Sequence, residues 1–183
     1  MINLYNKLLK KHGKQNWWPI ISKNKRLETC LGAILTQNTS WKNTEKIIKI
    51  LIEKNLINLD KLNKISEKKL SLLIKSSGYY RQKARKIKGF AKFLKSNKKI
   101  TRKNLLDVWG IGEETADTIL LYAYNKPYFV IDNYTKKLFS RLGYCNENIK
   151  YSELQSLIIN KIPKDVDLYK EFHALIVECG KSN

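Results

Sequence analysis

Several residue types are scarce in this chain of 183 residues, which has three cysteines, three prolines, two histidines and a single methionine. Cys30, Cys145 and Cys179 are odd in number and lack metal-ligand spacing. That excludes a disulfide framework and a zinc finger, and reduced, mostly structural thiols are expected. His12 and His173 are remote from each other and from the cysteines, so neither points to metal catalysis. His173 lies on an apolar helix pattern and reads as a satisfied core or inter-lobe residue. No run approaches 18 apolar residues, and the N-terminus lacks a signal-peptide layout, so a soluble, cytoplasmic protein is expected. Acids are short as well, at 16 against 36 Lys and Arg, a formal charge of +20. A Lys-rich proteome bias would raise Glu too. A polyanion is therefore the better partner, because each phosphate neutralised releases counterions, and a membrane surface is a poor second.

What the chain does have is helix signal almost throughout. Apolar residues recur at i, i+3, i+4 over 2–11, 26–35, 41–54, 66–73, 80–95, 102–108, 115–124, 133–142, 152–161 and 166–179. Gly13, Pro19, the turn at 76–78, Pro127, Gly143 and Pro163 separate them. The fold class follows as all-α. At this length the chain holds one compact unit, or two lobes sharing a core.

The most telling stretch is Leu105-Leu106-Asp107-Val108-Trp109-Gly110-Ile111-Gly112-Glu113-Glu114-Thr115-Ala116, followed by Val130-Ile131-Asp132. Two helix patterns meet at a Gly-Ile-Gly turn, where the glycines permit positive φ and Ile111 is placed to plug the core. Such a turn leaves backbone amides at a helix start, an arrangement suited to a phosphate. An ordinary αα-hairpin would carry the same two glycines.

This block resembles the helix-hairpin-helix of the DNA glycosylase superfamily that includes endonuclease III. Leu31-Gly32-Ala33-Ile34-Leu35-Thr36-Gln37-Asn38-Thr39 is similar to the family's buried helix and DNA-inserting loop, and Ser77-Gly78-Tyr79-Tyr80-Arg81-Gln82-Lys83-Ala84 to its G-[LFY]-Y-x-x-K-A segment. The resemblance covers roughly residues 25–180 in three ordered blocks. It implies two helical lobes flanking a cleft. A six-helix-barrel-like lobe spans about 25–126 with the hairpin at about 102–120, and residues 1–24 plus 127–183 form the second. It further implies double-stranded DNA with a damaged base as partner, nucleoid association, a monomer, and Asp132 as the carboxylate beside a flipped nucleotide. Gln37, Asn38, Lys83, Gly110, Ile111 and Gly112 take the DNA-binding positions. By the same resemblance, a glutamine at the place of Gln37 enters the space left by the flipped base, and hairpin carbonyls hold a monovalent cation. Many relatives carry a four-cysteine iron–sulfur cluster after a segment like Val177-Glu178-Cys179-Gly180-Lys181. No such quartet occurs in these 183 residues, and no cluster or other cofactor is expected.

A carboxylate suits cleavage of an N-glycosidic bond, because positive charge develops on the sugar. Asp132 also follows Phe129-Val130-Ile131 at a helix start, where Asp is a favoured N-cap, and the two roles are compatible. Bifunctional members have a lysine two places after the second glycine, and here that place is Glu114. A carboxylate cannot form the imine, so base removal by water without strand cleavage is expected. Glu114 also reads as a first-turn acid favourable to the helix dipole.

Gln15-Asn16-Trp17-Trp18-Pro19 is a stiff aromatic arm. With Thr39-Ser40-Trp41 it resembles the bacterial 3-methyladenine DNA glycosylase III subgroup, which implies Trp17, Trp18, Pro19 and Trp41 as the base pocket. Aromatic faces attract cationic alkylated purines by cation–π and stacking. One position departs from the subgroup, Leu175 standing where it has a lysine. Thr39 is expected to cap the following helix, and Tyr79, Tyr80, Arg81, Lys83 and Arg85 interleave aromatics and bases as a DNA-facing edge would. Three readings follow: a monofunctional alkylpurine glycosylase, a glycosylase or glycosylase/lyase for mismatched thymine or an oxidised purine, and a non-catalytic helix-hairpin-helix DNA-binding module.

Overall fold

A computed structural model describes residues 1–181, and they are helical with no strand among them. The chain divides into two compact units, Ile20–Ile119 and Met1–Pro19 with Leu120–Asn183.

The continuous unit holds α2 (Lys25–Leu35), α3 (Trp41–Glu53), α4 (Leu59–Lys64), α5 (Glu67–Leu73), a 3-10 turn (Lys75–Ser77), α6 (Tyr80–Lys95), α7 (Arg102–Leu106) and α8 (Glu113–Thr118). α2 is its axis, with every residue from Leu27 to Leu35 buried and α3, α6 and α8 packed around it. A helix buried on all sides leaves no polar face, so its one acid needs partners. Glu28, 2% exposed, accepts the backbone N–H groups of Ile21 at 2.9 Å and Ser22 at 2.6 Å. The short α4 carries too little periodic signal to be read from sequence. Asn58 caps its start, and the Lys88 ammonium reaches across from α6 to the carbonyls of Leu62, Asn63 and Ile65 at 2.6–2.7 Å. α3 begins one residue later than its expected cap implies. Ser40, not Thr39, accepts the N–H of Asn43, because the Thr39 hydroxyl is turned inward to the Ser77 carbonyl.

The discontinuous unit holds α1 (Ile2–His12), α9 (Asn133–Arg141), α10 (Tyr151–Ile159) and α11 (Val166–Lys181). α11 is the axis here, with α1 and α9 against it. Phe129, Phe139, Leu154, Ile158, Tyr169, Phe172, Leu175 and Ile176 form the core, tied by edge-on rings of Phe172 with Tyr5 and with Phe129. Leu175, the departure from the subgroup pattern, is fully buried in that core. Beyond α8 the chain passes through a π-turn, Ile119–Ala123, where the apolar spacing over 115–124 implies one continuous helix. That wider turn re-aims side chains by a fraction of a turn, and π-bulges recur at functional sites. The extended stretch before Asp132 is held by Gln155, which donates to the Phe129 carbonyl at 2.6 Å.

Candidate active site

Asp132 is the N-cap of α9, at φ −102°, ψ −178°. Its Oδ1 accepts the Thr135 N–H at 2.7 Å and the Thr135 hydroxyl at 2.8 Å, while Oδ2 lies 3.5 Å from His173 Nε2. The side chain is 15% exposed, dry enough to strengthen its field yet open to a ligand. Burial alone would raise its pKa. The adjoining His173 imidazole, with the two bonds from Thr135, outweighs that and holds the carboxyl below its ordinary value. Capping and charge presentation thus coexist on different oxygens.

His173 connects this carboxylate to an aromatic cluster. Its Nδ1 meets the Tyr122 hydroxyl at 2.8 Å, and that hydroxyl also faces the Lys170 carbonyl at 3.1 Å. Trp17 stacks on the imidazole at 5.6 Å and 21°, and Trp18 on Trp17 at 5.3 Å and 25°. Tyr122 packs against both indoles. The arm is fixed in turn by Glu171, buried on α11, whose carboxylate accepts the N–H groups of Gln15 and Asn16. Asn16 takes a left-handed conformation at φ 51°, turning the chain so that the two tryptophans follow, and Pro19 ends the arm at an exposed position. Burial and the charges of Asp132 and Glu171 push the Tyr122 pKa well above its ordinary value, so the hydroxyl keeps its proton.

Tyr122, Glu171 and His173 are site-building residues that the sequence did not single out as such. A histidine and a glutamate inside Phe172–Val177 and its approach are polar breaks in an apolar helix face, a signal that was present. Tyr122 gave none, because its direction depends on the π-turn.

The hairpin lies in the other unit. Gly110 has φ 79°, a value that favours glycine, and a Cβ there would press on the Lys86 side chain. Gly112 is extended, at φ −89° and ψ −178°, so only one of the two glycines supplies positive φ. A Cβ on Gly112 would meet nothing in the protein, and the residue provides no side-chain cap to α8. Ile111 is 4% exposed and plugs the core as expected. Arg102 braces the turn, with Nε on Asp117 at 2.7 Å and a terminal nitrogen on Asp117 and Glu113. Asp117 first, then burial acting the other way, then Glu113, leave the guanidinium pKa raised.

Gln37 is turned onto this hairpin. Its amide donates to the Thr115 hydroxyl at 2.7 Å and toward the Gly110 carbonyl at 3.4 Å, and its oxygen accepts from Lys86. Asn38 is exposed in a left-handed conformation, φ 51°. Trp41 is the half-buried first residue of α3, and Glu114 is an exposed first-turn residue of α8. The phosphate role expected of Lys83 does not fit its placement. It is 2% exposed, and its ammonium donates to the Leu35 carbonyl, the Thr39 hydroxyl and the Ser77 carbonyl at 2.7–2.8 Å. An exposed cation beside the hairpin is Arg85, 4.2 Å above the ring of Trp109, itself half exposed. Among the hairpin carbonyls, those of Val108, Gly110 and Gly112 already accept hydrogen bonds. Each retains a second lone pair, so a monovalent cation is compatible with them.

The chain belongs to the HhH-GPD superfamily of base excision DNA repair proteins, whose family pattern matches residues 31–164. That span contains the hairpin and Asp132 and leaves out the tryptophan arm and His173. The "Putative DNA repair glycosylase" of Methanocaldococcus jannaschii is 45% identical over an aligned length of 192 residues, covering 97% of this chain and 86% of that one. Endonuclease III of Thermotoga maritima is 30% identical over 155 residues, covering 82% and 71%. Among solved structures, the 3-methyladenine DNA glycosylase (MagIII) of H. pylori bound to 1,N6-ethenoadenine superposes with a TM-score of 0.84 at 31% identity, covering 99% of this chain and 95% of that one. The protein is thus an endonuclease III-like base excision repair DNA glycosylase.

Proposed function

We propose that this glycosylase is monofunctional and hydrolyses the N-glycosidic bond of a flipped alkylated purine, 3-methyladenine in the first place, leaving an abasic site. The observation that carries this reading is the Trp17–Trp18 stack standing on His173, which itself touches Asp132. An aromatic surface beside a carboxylate attracts a cationic base by cation–π and charge. The H. pylori relative, named for 3-methyladenine, supports the same substrate class.

Alkylation at N3 or N7 puts positive charge on the base and weakens the bond to the sugar, so no strong general acid is required. Asp132, held ionised, stabilises the sugar cation as it forms, and water completes the substitution. Glu114, where bifunctional members have lysine, offers no amine for an imine. The hairpin at Gly110, Ile111 and Gly112 takes a phosphate, with open space in front of Gly112 for its approach. Asn38 sits at the tip of the inserting loop, and Gln37 supports the hairpin from behind. Lys83 is withdrawn from the DNA contacts.

The test is single-turnover release from duplexes carrying 3-methyladenine, uracil, thymine opposite guanine, or 8-oxoguanine, each read with and without hot alkali. Alkali-dependent breaks at the alkylated purine are expected. Breaks without alkali would replace this reading by a glycosylase/lyase, and DNA binding without any release by a binding module. Asp132→Asn keeps the α9 cap, since Asn also caps well, and is expected to lower the rate roughly a hundredfold or more with DNA affinity retained. Trp41→Ala is expected to reduce release of cationic bases much more than nonspecific DNA binding.

A further inference from the structure

His173 sits in a proton arrangement more elaborate than core packing requires. The Tyr122 hydroxyl carries one hydrogen and has two acceptors in reach, His173 Nδ1 at 2.8 Å and the Lys170 carbonyl at 3.1 Å. Turned to Nδ1, it fixes the neutral ring with its hydrogen on Nε2, facing Asp132 Oδ2 at 3.5 Å. Turned to Lys170, it leaves its own oxygen to accept from a protonated Nδ1. The Lys170 carbonyl already lies in a helix, so it tolerates either state. Trp17 covers one face of the ring, and the side chain is only 5% exposed, so these partners rather than water decide where the hydrogens stand.

We propose that His173 is the positioning residue of Asp132 and sets the lower pH edge of base excision, because Tyr122 and Lys170 let its ring hold one proton or two while Nε2 stays beside the carboxylate, 3.5 Å from Oδ2. The inference rests on Asp132 being the carboxylate that serves the reaction. With one proton, the ring orients Oδ2 and leaves the carboxylate its full charge. With two, the ring compensates that charge and places a positive ion behind the Trp17 face, so both the sugar cation and a cationic base are disfavoured.

Among the described residues, the other charged groups near the ring have partners of their own. Asp132 faces it from the start of α9 and Tyr122 from the π-turn. On its own helix, the oxygens of Glu171 are taken by the Gln15 and Asn16 amides, and the Lys170 ammonium is held by Asn125 at 2.6 Å. From α1, Tyr5 packs on the neighbouring Phe172, and the arm contributes the uncharged Trp17.

The test compares full-length wild type, His173→Gln and His173→Ala in single-turnover excision between pH 5 and 9, on duplexes with one 3-methyladenine or one neutral 1,N6-ethenoadenine. Long-range 15N–1H NMR of the His173 ring in the DNA-free protein runs beside it. Expected are an Nε2–H ring at neutral pH and an acid limb in the wild type that is steeper for the cationic base. The Gln variant, whose amide donates without titrating, should lose that limb while keeping the plateau rate within roughly tenfold. The Ala variant should fall roughly tenfold or more at every pH. An Nδ1–H ring at neutral pH, or an acid limb unchanged in His173→Gln, overturns the inference and leaves the proposed function standing. A wild type that releases no base overturns the proposed function and this inference with it.

Discussion

Replacing Lys83 by methionine separates a lysine that holds the fold from one that holds DNA. The ammonium, 2% exposed, bonds the Leu35 carbonyl at the end of α2, the Thr39 hydroxyl and the Ser77 carbonyl. It thereby ties together a helix end, the loop after it and the 3-10 turn. Charge-assisted hydrogen bonds contribute about 1.5–3 kcal/mol each, and a buried charge costs several kcal/mol of hydration in return. Methionine relieves that cost but leaves the Leu35 carbonyl without its side-chain donor, whereas Ser77 retains the Thr39 hydroxyl. The net loss is about 2–3 kcal/mol, or roughly 5–10 °C in Tm for a chain of this size, measured by thermal and urea unfolding.

The pH dependence gives a second readout of the same residue. Burial, with the nearby charge of Lys86, lowers the Lys83 pKa from 10.5 to about 8. Between those values the unfolded chain binds more protons than the folded one, so this group's contribution to stability rises with pH across that window. Lys83→Met should lose that rise, and the difference from wild type should widen toward pH 10. The salt slope of DNA binding should not change, whereas removal of a phosphate lysine reduces it by about one. A variant as stable as the wild type but with a reduced salt slope would refute the reasoning.

Two further substitutions probe the supports of each unit. Arg102→Met deprives the fully buried Asp117 of its guanidinium and should cost about 3–5 kcal/mol in urea unfolding, most of it recovered in the double variant Arg102→Met/Asp117→Leu. Glu171→Leu releases the Gln15 and Asn16 amides and should loosen the arm. The expected result is altered tryptophan fluorescence and, on the proposed alkylated-purine substrate, a higher KM, with stability reduced by about 1–2 kcal/mol.

Much of the site's outline was legible because its parts are local. The Gly-Ile-Gly turn, the cap at Asp132 and the adjacency of Trp17 and Trp18 each depend on a few neighbouring residues and elementary backbone preferences. Lys83 was misleading for the opposite reason. A lysine beside tyrosines and arginines looks like part of a basic edge, and sequence does not reveal that its particular helix face turns inward. Thr39 failed in the same way, since Ser40 beside it serves equally as a cap and only the packing of the 3-10 turn selects between them.

By itself the sequence determined the helical class, the hairpin and the carboxylate at the start of α9, because helix periodicity, glycine conformation and N-capping act over one to four residues. Only the tertiary structure decided that Tyr122, His173 and Glu171 join Asp132 and the tryptophan arm, residues separated by as many as 156 positions along the chain. Their meeting depends on a π-turn that re-aims Tyr122 and on α11 serving as the buried axis of its unit. In such an axis a buried polar group is stabilised by a partner, and Glu171 found the amides of the arm while His173 Nδ1 found the Tyr122 phenol.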